Sequence, residues 1–135
     1  MSTPEVNLRV QARMADDHGR PLPMVRIMRL IYTTRDPYQV QLRDPQAGDL
    51  VFERSLLEEA LTRGCAGIGD IRLHLWGLRG LQVLVIERPG GSPVCISQKT
   101  AAEFLDLTFE LVKPGTEDRY LDIDAGLGWL LGSAA

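Results

Sequence analysis

The chain has 135 residues, 44% of them hydrophobic, and a formal net charge of −3, which suits one domain with its own core and leaves too little for two, so residues 1–135 are read as a single unit. Uncharged apolar stretches such as Gly80–Ile86 are far short of the roughly 20 residues that span a bilayer. The first seven residues lack the basic start and apolar run of a secretory leader, so a cytoplasmic location is expected.

Val6, Leu8, Val10, Ala12 and Met14 alternate with polar residues, the period-2 pattern of a half-buried strand. The turn formers of 16–23 separate it from a second strand over 24–32, and the two should form a hairpin. After the Asp36-Pro37 break, 38–43 alternates cleanly, and 44–49 turns the chain into a short strand, 50–53. Ser55 followed by Glu58 has the form of a capping box, and Gly64 sits where a helix stops, so 55–63 should be helical. Strands are then expected from Ile71 to Trp76, from Leu81 to Arg88 and from Val94 to Ser97. Thr100 with Glu103 suggests a second capping box, opening a helix that ends at Pro114-Gly115. Strands followed by a helix thus occur twice. The last segment suggests a C-terminal helix around Leu127, Trp129 and Leu130, weakened by Gly126, Gly128 and Gly132. The fold class expected is α+β, with a strand-rich antiparallel core in two strand–helix halves.

Charge is uneven along the chain. Residues 1–100 hold 13 bases and 11 acids, whereas 101–135 hold 2 bases and 7 acids. The pI of about 5.3 argues against phosphate-backbone binding by the surface as a whole.

Little of the sequence points to catalysis. His18 and His74 are the only histidines, and neither stands beside a serine or cysteine in a nucleophile motif. Cys65 and Cys95 lie outside any Cys-x-x-Cys pattern and read as small buried hydrophobes. Gly64, Gly67 and Gly69 follow a helix and precede a strand, the reverse of the order in a dinucleotide site, so they read as a connection. Asp122 and Asp124 suit a helix entry better than a cation site. No metal or cofactor is expected. Tyr38, Phe52 and Trp76, with Arg26, Arg29 and Arg72, could in principle serve a single-strand binder as stacking platforms and phosphate contacts, although core packing and solubility explain them more simply. Trp76 and Trp129 are candidate partner anchors, since tryptophan and arginine are enriched at interfaces.

Six segments carry a more specific signal: Asp36-Pro-Tyr-Gln-Val40, Val51-Phe-Glu-Arg-Ser-Leu-Leu57, Gly67-Ile-Gly-Asp-Ile-Arg72, Phe104-Leu-Asp-Leu-Thr108, Val112-Lys-Pro-Gly-Thr-Glu117 and Leu121-Asp-Ile-Asp124. In this order and spacing they resemble the SsgA-like proteins of sporulating actinomycetes. The chain departs from that pattern at Leu50, where the family typically has tryptophan, and near Trp76, which lacks the usual proline. The resemblance implies a non-enzymatic regulator or adaptor of sporulation and cell division, with partners in the division machinery, including the tubulin-like ring, and recruitment to the septum. It also implies a fold similar to the single-strand-binding Whirly proteins and a bell-like homotrimer, though fold similarity does not transfer nucleic-acid binding. A homo-oligomer also suits an antiparallel sheet with edges and an apolar face to cover. Within the Pro114–Glu117 turn, Gly115 and Glu117 are the residues expected to shape a partner-facing loop, the simpler role of Gly115 being to end a helix.

Overall fold

The computed structural model describes residues 3–18, 20–78 and 80–121. Its elements run β1 (Glu5–Ala15), β2 (Pro21–Thr33), β3 (Gln39–Arg43), β4 (Leu50–Glu53), α1 (Arg54–Arg63), β5 (Cys65–Ile68), β6 (Ile71–Leu78), β7 (Leu81–Glu87), β8 (Val94–Ser97) and α2 (Gln98–Leu111). The α+β class and the two strand–helix halves are as the sequence suggests. The proposed C-terminal helix, with Trp129, Asp122 and Asp124, lies outside the described residues.

All eight strands form one sheet in the order β4-β3-β2-β1-β8-β7-β6-β5, and every pairing is antiparallel. The edge strands β4 and β5 are consecutive in the chain, joined only by α1 and Gly64. A helix of 10 residues spans about 15 Å, whereas eight flat strands would span roughly 34 Å between their edges. The sheet must therefore curl until its edges approach. Val10, Met28, Leu30, Tyr32, Val40, Leu84, Ile86 and Ile96 point into that concavity and meet Leu57, Phe104 and Leu105 of the helices in the main core. A smaller cluster of Ala15, Val83, Val85 and Cys95, with Trp76 packed on it, is separate from that core.

Several local expectations are corrected. The first capping box is absent: Glu53 is the N-cap of α1 with no side-chain cap, and Ser55 Oγ donates to Glu53. The chain passes straight from strand to helix, and the free Arg54 N–H is taken up at 2.7 Å by the Tyr38 carbonyl of the neighbouring segment. The second box is displaced by three residues, because Ser97 is the N-cap of α2 and its side chain accepts from Thr100 N–H. Gly64 does close α1, at φ 93°. The glycine-rich connection is itself a strand, β5, paired to β6 with Cys65 opposite His74 and Ile68 opposite Ile71. Gly67 permits this close pairing, since a Cβ there would come within 3.3 Å of Arg72 Cγ and the Ile71 carbonyl. A signal was present: Gly69-Asp70 is a two-residue hairpin turn flanked by isoleucines. Cys65 is exposed, not buried, because β5 is an edge, while Cys95 is buried as expected.

A candidate partner-binding groove around Arg54

Three of the six motif segments converge on one side chain. Arg54 opens α1 with its side chain only 4% exposed, a position that charged residues occupy only when paired. Its Nη1 donates to the carbonyls of Thr108 at 3.1 Å and Val112 at 2.8 Å, and its Nη2 donates to Glu117 Oε1 at 2.7 Å. The guanidinium stands 4.9 Å from the Tyr32 ring centroid and 5.1 Å from that of Phe109, within cation–π range. The last turn of α2 contains no basic residue, so Arg54, reaching across from α1, is the cation set against the negative end of its dipole and bonds two of the carbonyls there, while Tyr120 Oη donates to that of Leu111.

The surroundings hold this arrangement. Tyr32 Oη donates to the Pro37 carbonyl at 2.8 Å, and burial pushes its phenol up to about 12 despite the opposing charge of Arg54. Glu117 also accepts the Gly115 N–H at 2.8 Å, and Gly115 has φ 88°, a conformation open to glycine. Tyr38 Oη donates to Asp118. Residues 117–121 are helical and are therefore tied to the body of the protein through both Glu117 and Asp118.

A groove of ≈ 370 Å³ opens beside this clamp, its walls including Pro37, Tyr38, Phe109 and Pro114, with Glu53 and Glu58 also lining it. Both glutamates are exposed. With the charge of Arg54 engaged by Glu117, the groove offers apolar rings and exposed carboxylates, a setting for a basic or amphipathic segment.

The other candidates are dispersed. Trp76 is partly buried on β6, outside the main core. Phe52 is 3% exposed and cannot act as a stacking platform. Arg26 joins Arg88 on the buried Asp44 carboxylate, at 3.3 and 3.0 Å. Burial pushes that carboxyl up, but hydrogen bonds from the Gln46 N–H, Arg88 and the Ala47 N–H, with the charge of Arg88, outweigh it and hold Asp44 below the usual carboxylate range. His18 lies in the turn after β1, its N–H on Asp16. Sequence reasoning singled out Glu117 but missed Arg54 and Asp44, as nothing local distinguishes a buried charge from a solvated one.

The comparisons bear on the same segments. A family model described as Streptomyces sporulation and cell division protein, SsgA, matches residues 27–117. The chain belongs to the SsgA family. It is 38% identical over 109 residues to the sporulation-specific cell division protein SsgB of Saccharopolyspora erythraea, covering 76% of each chain. It is 31% identical over 139 residues to the SsgB of Streptomyces coelicolor, covering 96% of each. Among solved structures, the SsgA-like sporulation-specific cell division protein of Thermobifida fusca superposes with a TM-score of 0.78 at 26% identity, covering 95% of this chain and 98% of that one. An SsgB structure from work on mutations that correlate to longitudinal cell division during sporulation of Streptomyces coelicolor gives 0.74 at 28% identity, covering 89% and 98%. The Arg54–Glu117 clamp lies wholly within the matched family region. No helix among the described residues is long and apolar enough to cross a membrane.

Proposed function

We propose that this SsgA-family chain acts in sporulation-linked cell division as a non-enzymatic adaptor, binding division-machinery proteins, the tubulin-like ring among them, at the forming septum. The observation that carries this reading is the convergence of three family motif segments on the Arg54 clamp, beside an open groove with exposed carboxylates to meet a partner. Relatives named sporulation-specific cell division proteins supply the process. In this reading Gly115 and Glu117 shape the partner-facing loop by holding the Pro114 turn against the groove, and Trp76 is a second contact on another face. Trp129 completes the set of anchors. A Whirly-like chain path belongs to the same reading, supported by the repeated β1–β4–α1 and β5–β8–α2 order, and so does a homotrimer, which would cover edges of the sheet.

The test is microscopy of a fluorescently tagged copy in a sporulating actinomycete, beside an E58K variant. Glu58 is exposed on α1 and the structure gives it no ion pair among the described residues, so reversing its charge should leave folding intact. The adaptor reading expects foci or ladders at septa that E58K disperses. A diffuse or nucleoid-bound wild-type signal would overturn it.

A further inference from the structure

The face of the sheet opposite the main core carries an arrangement that stability alone does not favour. Arg9 on β1 lies directly opposite Arg29 on β2, and Arg29 lies directly opposite Arg43 on β3. All three are exposed. Neighbouring strands are about 4.8 Å apart, so three guanidinium-bearing side chains stand in a line roughly 10 Å long. Like charges facing each other across strands are destabilising, and little offsets them here. Arg29 donates to the neutral Asn7 side chain, Arg43 approaches Asp49 only at 3.8 Å with both half exposed, and Arg9 has no carboxylate partner among the described residues. Next to the row on the same face of β2, Ile27 and Val25 are 39% and 50% exposed.

We infer that this row is a docking surface for an acidic, extended segment of a protein partner carrying apolar residues among its carboxylates. Carboxylates two residues apart in an extended chain are separated by about 7 Å, which lets two of them engage the three guanidinium forks, some bidentately. An aliphatic side chain between them would rest on Ile27. Charge complementarity alone would also admit a single-stranded nucleic acid, but such binders interleave cations with aromatic platforms. Phe52 is in the core, and Trp76 on β6 is four strands away from Arg29. Arg9, Arg29 and Arg43 do not line the Arg54 groove, so this surface is independent of the one proposed above.

The experiment is fluorescence anisotropy at low salt with a short fluorescein-labelled peptide of alternating aspartate and leucine, on the wild-type chain, R29E and R63E, the last making the same charge change at an exposed arginine of α1 away from both surfaces. R29E replaces two repulsive cross-strand pairs with attractive ones, so the variant should fold at least as well as the wild type, checked by circular dichroism. The peptide should bind the wild type and R63E alike, and bind R29E roughly tenfold or more weakly, as one fork is lost and a repelling charge gained. Equal binding to R29E and wild type would overturn the inference, as would tighter binding of an oligothymidylate probe at the same salt. Salt-sensitive self-association that R29E abolishes would assign the face to a second copy of this chain and refute it as well.

Discussion

Replacing Arg54 by methionine tests whether the clamp is what holds the end of α2 and the turn after it. Methionine keeps the apolar bulk of the side chain but strands the Val112 carbonyl, leaves the Thr108 carbonyl with only the Val112 N–H, and leaves Glu117, 16% exposed, with only the Gly115 N–H. Hydrogen bonds to a charged group are worth about 1.5–3 kcal/mol each, so three would sum to roughly 4.5–9 kcal/mol if they were additive. Removing the guanidinium also removes its own desolvation penalty, and breaking buried pairs typically costs about 3–5 kcal/mol. The expected loss is therefore about 3–4 kcal/mol, a large part of the ~5–15 kcal/mol that holds an ordinary domain together. Glu117→Gln should lose only about 1–2 kcal/mol, because Arg54 keeps both carbonyls and the amide can still accept from it. Urea denaturation gives both values, and amide hydrogen exchange should quicken in R54M at Val112 and Gly115, whose N–H groups bond Thr108 and Glu117. A loss below about 1 kcal/mol for R54M, or a larger loss for E117Q than for R54M, would refute the reasoning.

Three further outcomes follow from named groups. Asp44→Asn removes the one carboxylate shared by Arg26 and the buried Arg88 and should cost about 3–5 kcal/mol at neutral pH. Because the native Asp44 carboxyl is held below its ordinary 3.8, its contribution is present above that value and is lost as pH falls through the native value. Urea midpoints of D44N and wild type should therefore converge in acid, and parallel pH profiles would contradict this. Cys65 is exposed, whereas burial pushes the Cys95 thiol up to about 11. Iodoacetamide should thus add one label to the native protein and a second only on unfolding, read by intact mass. Finally, salt at about 0.1 M screens charges beyond roughly 10 Å and weakens exposed pairs, so it should raise the thermal midpoint of the wild type by relieving the Arg9–Arg29–Arg43 row. R29E should not gain in this way, and an equal gain in both would count against the row being strained.

The sequence by itself determined most of the local structure. Alternation in β1 set which residues face the core, Val10 and Ala12 inward against Arg9 and Arg13 outward, because side chains on a strand alternate faces whatever the partner strand. Gly64 ended α1 and Pro114-Gly115 followed the end of α2, since backbone conformation and a missing N–H act locally. The ordered motifs carried the family. What the sequence did not determine were relations between distant residues. β5 has no alternation to show, and its edge position, with the exposure of Cys65, follows from pairing to β6. Burial of Arg54 and Asp44 depends on partners 63 and 44 residues away, and a charge enters the interior only once the fold has placed its counter-charge there. The arginine row likewise exists only in the register of three strands, and the approach of edges β4 and β5 only in the curl that a ten-residue α1 imposes.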